Sequence, residues 1–404
     1  MEQFKKLGID DAVLRVIKEE RFEKPTEIQK KTIPLVLQGK DVMAGSATGS
    51  GKTLAFGSGI IQCSKKGVGI QALILTPTRE LAEQVSESMK LFSKHSPLKI
   101  TSVYGGVSIG PQIERLKTTD IVVGTPGRVL DHISRNTINL KRVKTLVLDE
   151  ADRMLDMGFV KDVEKIMRAC PNDRQTLLFS ATLTGEIQHL SRKYMKNPVS
   201  VSVESYVDAS KLTQIYYDVD DKMKFSLLVH LIKSEKAWLS MVFCNTQRNT
   251  DFVAKNLKAS GIKALAIHGG LTQDKRTKIM KQFNSEKAEF VLVCTDVAAR
   301  GLDIKGVSHV YNYDSPKESN TYIHRIGRTA RAGEEGLAIT VLSSRDYENF
   351  RRVLTDRSLD VEREEVPKIE RVMIKVKDAP RGPRNNRGPA RPRRQGGGAR
   401  PYRR

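Results

Sequence analysis

The stretch Ser46-Ala47-Thr48-Gly49-Ser50-Gly51-Lys52-Thr53 lies between an apolar step at residues 41–44 and a helical pattern. Small residues at such a junction let backbone N–H groups close around phosphate oxygens. The lysine can reach the β- and γ-phosphates, the threonine hydroxyl can ligate Mg²⁺, and the N-terminus of the next helix favours the same anion. The stretch therefore predicts a phosphate-binding loop whose contacting residues are Thr48, Gly49, Ser50, Gly51, Lys52 and Thr53. The strict pattern places Gly where this chain has Ser46, and an ordinary Gly/Ser loop before a helix is the alternative interpretation.

The composition limits the class of protein. A chain of 404 residues with 39% hydrophobic residues predicts two or three domains with packed cores. No apolar run approaches the roughly 20 residues that span a bilayer, and residues 1–6 lack the apolar core of a secretion signal. The four cysteines form no CxxC pair, which predicts reduced thiols rather than zinc ligands or disulfides. We therefore expect a monomeric cytoplasmic protein with no membrane association.

The charge indicates a polyanionic partner. The net charge is +22, and residues 381–404 contain nine arginines and no acid, which leaves +13 for the other 380 residues. A positive excess of this size favours nucleic acid binding. From about residue 379 onward Gly, Pro, Arg and Asn dominate, so this segment is predicted to be disordered. It suits a flexible arm that binds nucleic acid, with a merely solvating tail as the alternative.

Apolar, β-branched runs alternate with amphipathic stretches along the chain. This alternation predicts an α/β fold in which mostly parallel sheets are flanked by helices on both faces. Strands are predicted at residues 71–76, 100–104, 120–124, 145–148 and 175–179, and again at 240–244, 263–267, 290–294, 309–313 and 337–342. Helices are predicted at residues 79–93, 160–169, 222–232, 247–260 and 273–283. The domains are predicted at residues 1–204 and 214–365, with a linker at 205–213 within the polar region 197–213 and an extension at 366–404.

Three carboxylates, Asp149, Glu150 and Asp152, follow the apolar strand at residues 145–148. In nucleotide hydrolases a carboxylate at the carboxyl edge of a strand holds Mg²⁺ opposite the phosphate loop. A neighbouring carboxylate can orient or deprotonate the attacking water. The alternative is a solvated acidic turn, which the phosphate loop upstream disfavours.

Several motifs occur in a fixed order around these carboxylates. They are Pro25-Thr26-Glu27-Ile28-Gln29, Pro77-Thr78-Arg79-Glu80-Leu81, Thr125-Pro126-Gly127-Arg128, Asp149-Glu150-Ala151-Asp152, Ser180-Ala181-Thr182, Ala299-Arg300-Gly301-Leu302-Asp303 and His324-Arg325-Ile326-Gly327-Arg328-Thr329-Ala330-Arg331. From residue 4 to about residue 365 the chain resembles a DEAD-box RNA helicase. The resemblance implies two RecA-like domains that bind ATP and RNA across their cleft.

The resemblance also implies roles at the nucleotide. Lys52 and Thr53 would contact phosphate and Mg²⁺, Asp149 would hold the Mg²⁺ shell, and Glu150 would position water. Gln29 would read the adenine edge, with Phe4 stacking on the base. From the second domain, Arg328 and Arg331 resemble arginine fingers, and Asp303 resembles a ribose contact. The family usually has Gly where this chain has Arg21.

Further residues resemble those that bind RNA or couple the two sites. The coupling set is Asp152, Ser180, Thr182 and His324, although Ser180 and Thr182 could instead be ordinary strand-end caps. The RNA set is Thr78, Arg79, Gly105, Gly106, Thr125, Arg128, Arg248, Gly269, Gln273, Arg276, Thr295 and Arg300. These residue types suit phosphate contacts, which set register but carry no sequence information. We therefore expect sequence-independent binding of single-stranded RNA, also within ribonucleoprotein complexes, with local strand separation.

Two other functions stay open at this stage. An RNA-clamping scaffold would use ATP as a timer and release few strands. A DNA translocase would share the same domains. ATPase stimulation by RNA and by DNA of equal length distinguishes the two functions, because binding by the DEAD-box family depends on the 2′-OH of RNA.

Overall fold

A computed structural model describes residues 1–45, 50–202, 212–235, 238–285, 289–299, 304, 306–330 and 335–374. The chain begins with three helices, α1 (Glu2–Lys5), α2 (Asp11–Glu19) and α3 (Glu27–Leu37). The Asp10 side chain caps α2 by accepting a hydrogen bond from the Val13 N–H at 3.0 Å. Thr26 and Gln29 form a capping box that starts α3. The start of α3 lies beside Ser50 and Gly51, whose carbonyls accept hydrogen bonds from the side chains of Thr26 and Gln29.

The first sheet contains seven parallel strands in the order β3-β4-β2-β5-β6-β1-β7. They are β1 (Val42–Gly45), β2 (Ala72–Leu75), β3 (Ile100–Val103), β4 (Ile121–Gly124), β5 (Thr145–Asp149), β6 (Gln175–Ser180) and β7 (Val199–Ser202). The helices between them are α4 (Lys52–Cys63), α5 (Arg79–Phe92), α6 (Gly110–Leu116), α7 (Pro126–Ser134), α8 (Ala151–Asp156), α9 (Val160–Ala169) and α10 (Gly185–Tyr194). A separate apolar core covers each face, one containing Phe56 and Val147 and the other Leu73 and Ile166. Burial on both faces explains the continuous apolar runs of the central strands.

The second sheet also has seven parallel strands, in the order β10-β11-β9-β12-β13-β8-β14. They are β8 (Leu212–Asp218), β9 (Leu239–Phe243), β10 (Ala264–Ile267), β11 (Phe290–Cys294), β12 (Val307–Asn312), β13 (Gly336–Leu342) and β14 (Glu362–Glu364). The helices are α11 (Lys224–Ser234), α12 (Gln247–Ala259), α13 (Gln273–Ser285), α14 (Asp296–Ala299), α15 (Ser319–Ile326) and α16 (Tyr347–Leu354). The predicted fold class, two parallel sheets flanked by helices, is confirmed.

The structure adds elements that the apolar pattern did not predict. Within the expected polar region 197–213, β7 pairs with β1 and β8 begins at Leu212, while residues 203–211 lie outside the described residues. After β14, the side chains of Ile369 and Val372 pack on the core beside α11, and the Val372 N–H donates to Ser226 Oγ at 3.0 Å. The predicted tail from residue 379 lies outside the described residues. None of the helices described is long and apolar enough to cross a membrane.

Candidate functional site

The start of α4 forms the described half of the phosphate loop. Gly51 has φ 89°, a conformation that favours glycine, and a Cβ there would lie 2.4 Å from Gln29 Nε2 and would displace the Gln29 amide. Lys52 is the first residue of α4 and is 6% exposed, and Thr53 follows it. The predicted contacts Thr48 and Gly49 lie outside the described residues. Because backbone N–H groups at a helix start face outward along the axis, this end of α4 suits an anion.

The start of α3 is bonded to this loop. Thr26 Oγ1 donates to the Ser50 carbonyl at 2.8 Å, and Gln29 Nε2 donates to the Gly51 carbonyl at 3.0 Å. Gln29 Oε1 accepts from the Thr26 N–H at 3.0 Å. The Gln29 amide is therefore tied to the phosphate loop, and its adenine contact stays a prediction. Arg21 has φ 55°, a left-handed conformation that suits the glycine usual at this position.

Phe4 lies on α1 and is 1% exposed. Its ring belongs to the first-domain core together with Val13 and Ile17. The structure therefore gives Phe4 a packing role, and stacking on a base stays a prediction.

The carboxylates lie where the sheet order places them, at the carboxyl end of β5. Glu150 has φ 53°, and its N–H donates to Asp149 Oδ1 at 3.1 Å. Burial raises the pKa of Asp149 from 3.8 to about 6, while the Lys52 ammonium lowers it and the Glu150 carboxylate raises it further. Asp149 is thus a buried carboxylate whose charged form a bound cation would stabilise.

Asp152 and the end of β6 form a closed hydrogen-bond network. Asp152 Oδ2 accepts from the N–H groups of Ala181 and Thr182 at 3.1 and 2.9 Å and from Thr182 Oγ1 at 3.1 Å. The Asp152 N–H donates to Ser180 Oγ at 3.2 Å, and that hydroxyl donates to the Thr182 carbonyl at 2.7 Å. Ser180 and Thr182 therefore link the end of β6 to Asp152, and their role in coupling the two sites stays a prediction.

Helix α15 of the second domain contacts this network. His324 Nε2 lies 3.9 Å from Asp152 Oδ2, and Arg153 Nη2 lies 3.4 Å from His324 Nδ1. Arg328 follows α15, is 4% exposed, and lines a small cavity with Arg153 and His324. The predicted contacts Asp303 and Arg331 lie outside the described residues. The two domains thus bring the carboxylates and the Arg328 segment to one cleft.

Sequence reasoning missed two buried arginines, Arg153 and Arg325. Arg325 is 1% exposed and forms a bidentate pair with Asp296 at 2.6 and 2.7 Å. It also donates to Asn245 Oδ1 at 2.9 Å and to the Asp314 carbonyl at 2.6 Å. This arginine, on α15, ties together the carboxyl ends of three strands of the second domain, β9, β11 and β12. Nothing in the residue type separates it from the proposed finger at Arg328.

The predicted RNA residues of the first domain cluster at the carboxyl ends of β2, β3 and β4. The Arg79 guanidinium lies 4.4 Å from the Tyr104 ring centroid, and Arg128 Nη2 donates to the Val107 carbonyl at 3.0 Å. Thr78 caps α5 and Thr125 is the residue that precedes α7. Gly105 has open space around it, and Gly106 has φ 79° beside Arg79. The cluster offers two oriented guanidinium groups beside open backbone.

The described second-domain residues of this set lie on two helices and in two loops. Arg248 lies on α12, Gln273 begins α13, and Thr295 lies between β11 and α14. Gly269 lies beside Gln247 after β10. The exception in the set is Arg276, which forms an ion pair with Glu80 of the first domain at 3.0 Å. Arg300 lies outside the described residues.

The fold and this site define a two-domain nucleotide hydrolase with a phosphate loop in the first domain. The family described as DEAD/DEAH box helicase matches residues 26–190, and the helicase conserved C-terminal domain matches residues 223–333. The ATP-dependent RNA helicase CshA of Limosilactobacillus reuteri is 46% identical over 354 residues, which are 87% of this chain and 71% of that protein. CshA of Listeria monocytogenes is also 46% identical, over 87% of this chain and 68% of that protein. The chain belongs to the DEAD-box family of ATP-dependent RNA helicases.

Solved structures agree with this assignment. Saccharomyces cerevisiae Dbp5 bound to RNA and ADP BeF3 has a TM-score of 0.81 at 31% identity, covering 91% of this chain and 96% of that one. Mss116p bound to ssRNA and AMP-PNP has a TM-score of 0.77 at 28% identity, and the match covers 89% of this chain and 78% of that one. A DEAD box protein from Methanococcus jannaschii is 44% identical and has a TM-score of 0.56, and the match covers 90% of this chain and 99% of that one.

Proposed function

We propose that the chain is an RNA-stimulated ATPase that closes its two domains around single-stranded RNA and separates short duplexes locally. The contact of His324 with Asp152 carries this proposal, because it joins the segment that bears Arg328 to the carboxylates of β5. The hydrolytic groups then meet only when the domains do. RNA and ATP would each favour the closed arrangement that the other needs.

The comparison structures support a closed arrangement. The RNA-bound Dbp5 complex scores 0.81 at 31% identity, whereas the M. jannaschii protein scores 0.56 at 44% identity. Sequence similarity does not explain this difference, because the more similar protein has the lower TM-score. The TM-score also depends on how the two domains are placed relative to each other. We infer that the two domains of this chain are arranged as in the RNA-bound structure.

Mg²⁺ fits the donor set. Thr53 supplies a hydroxyl and Asp149 a buried carboxylate, which are the oxygen ligands this ion prefers. The raised pKa of Asp149 is consistent with a site that lacks a full counter-charge. When bound, the ion supplies positive charge that neutralises the β- and γ-phosphates.

The remaining roles belong to the chain itself. We assign Lys52 to the phosphates, Glu150 to the attacking water, and Arg328 with Arg331 to the charge that develops on the transferred group. The Arg79 and Arg128 cluster would hold RNA phosphates without reading bases. We also propose that the enzyme acts as a monomer on cytoplasmic RNA and ribonucleoprotein complexes, which is in keeping with its unpaired cysteines.

ATPase and duplex-release assays test this function. The wild type should hydrolyse ATP faster with RNA than with DNA of the same length and should release short strands. Lys52→Ala and Glu150→Gln should lose activity, by roughly 10²-fold or more, while the exposed controls Lys141→Ala and Glu114→Gln should not. Tight RNA binding with little strand release would favour the scaffold function. Equal stimulation by DNA would contradict the RNA assignment.

A further inference from the structure

Arg153 immediately follows the carboxylate run and has no role in the function proposed above. It lies on α8, and its side chain is 1% exposed, among the largest fully buried ones described. Burying a guanidinium is costly unless charges and hydrogen bonds compensate for its lost hydration. The identity of its partners therefore indicates why the chain keeps it.

One edge of the Arg153 guanidinium faces Glu150. Arg153 Nη1 lies 3.1 Å from Glu150 Oε2, and both side chains are almost fully buried. Within the described part of the chain, neither atom has a hydrogen-bond partner of good geometry. These two atoms are thus compensated by the opposite charge of the partner group and not by a hydrogen bond.

The other edge faces the second domain. Arg153 Nη2 lies 3.4 Å from His324 Nδ1, and Arg153 lines the same cavity as Asp296 and Arg328. An arginine can only donate, so His324 Nδ1 accepts in this contact. In the neutral ring the proton then sits on Nε2, the nitrogen that faces Asp152 at 3.9 Å. The guanidinium therefore contacts both a first-domain carboxylate and a second-domain ring.

We propose that Arg153 is a positioning residue that makes the orientation of Glu150 depend on domain closure. The guanidinium is a rigid planar fork, so fixing one edge against His324 sets the direction of the other edge. That edge holds one oxygen of Glu150 and thereby orients the carboxylate. When the domains separate, His324 leaves, and the orientation of Glu150 is no longer fixed. The inference rests on the water-orienting role proposed for Glu150.

The test compares Arg153→Gln and Arg153→Lys with a matched control. Arg174→Gln removes another buried arginine of the first domain, one that donates to the carbonyls of Cys170 and Pro171. Steady-state ATPase at saturating RNA gives kcat and KM, ATP binding is measured without RNA, and thermal unfolding reports stability.

Arg153→Gln should lower kcat about 10- to 100-fold, the range expected when a catalytic group loses its orientation, and change KM less than about threefold. Arg153→Lys should recover part of kcat, because it keeps the charge but not the fork. ATP binding by both Arg153 variants without RNA should match that of the wild type. The Arg174→Gln control should have the wild-type kcat even if its thermal stability is lower.

An unchanged kcat in Arg153→Gln would overturn the proposal. A raised kcat would also overturn it, because Arg153 would then inhibit hydrolysis. If that variant does not fold, Arg153→Lys decides, and a wild-type kcat there would overturn the proposal. Loss of activity in Glu150→Gln together with normal Arg153 variants would contradict this inference alone. An active Glu150→Gln would contradict the proposed role of Glu150 as well.

Discussion

Asp149 and Asp152 are three residues apart, yet they lie in different electrostatic surroundings. Asp152 accepts three hydrogen bonds from Ala181 and Thr182 at one oxygen, so its charge is compensated inside the protein. Asp149 is buried, and its described hydrogen bond comes from the next backbone N–H. These surroundings support the roles proposed for the two carboxylates, coupling of the two sites for Asp152 and a cation contact for Asp149.

Asp149→Asn should stabilise the nucleotide-free protein at neutral pH. A folded-state pKa of about 6 against 3.8 means that the folded state binds more protons between these values. The free energy of unfolding of the wild type therefore falls as pH rises through this window, by about 3 kcal/mol at most. Urea unfolding from pH 4 to pH 8 gives the free energy of unfolding of both proteins as a function of pH. The difference between the two proteins should grow above pH 4 and become constant above pH 7. A difference that stays constant over the whole pH range would show that Asp149 is not the titrating group.

At the residue scale, the sequence could locate charged groups but could not rank them. Arg325 and Arg328 stand in one motif, and only the contacts of Arg325 with Asp296 and Asn245 identify it as a structural tie. Arg153 was missed for the same reason, because its partner His324 lies 171 positions away. Side-chain partners across a domain cleft leave no local pattern in the sequence.

At the element scale, α5 and α13 face each other across the cleft. The groove between them is lined by Glu80, Glu83 and Glu87 on α5 and by Arg276 and Lys281 on α13. Glu80 and Arg276 are paired at 3.0 Å with both side chains largely covered. Opposite charges on the two helices favour the closed arrangement, and the pair exists only when the domains meet.

Reversing either charge should oppose closure. We expect Glu80→Arg and Arg276→Glu each to raise the RNA concentration for half-maximal ATPase about 3- to 10-fold, as for a partly exposed ion pair. The double variant Glu80→Arg/Arg276→Glu should recover most of this loss. Persistent loss in the double variant would instead assign Arg276 to RNA phosphate, as the family resemblance predicted.

The elements themselves were predictable where burial set the residue pattern. Strands such as β2 and β4 are buried on both faces and therefore appear as continuous apolar runs. The edge strand β14 consists of Glu362, Arg363 and Glu364, all exposed, and β7 alternates valine with serine. Edge strands form through backbone pairing with a neighbour, so their residues give little signal.

At the scale of the whole molecule, positive charge extends over both domains and the tail. The first 380 residues carry +13, so the tail is an addition to a surface that is already basic. Long-range attraction of RNA should therefore survive without the tail, although more weakly. The residues proposed to hydrolyse ATP all belong to the two domains and precede residue 332.

Removing residues 381–404 should weaken RNA binding and leave the maximal ATPase rate near that of the full chain. Nine arginines leave with the segment, and each phosphate neutralised on a single strand adds about 0.7 to the slope of log affinity against log salt. Full engagement would add roughly 6, and a flexible arm that engages only some of its charges should add about 2–4. RNA affinity at several salt concentrations measures the slope. A full-length control with all nine arginines changed to glutamine should behave like the truncation, because charge rather than length is responsible. Identical slopes for all three proteins would make the segment a solvating appendage and leave RNA binding to the two domains.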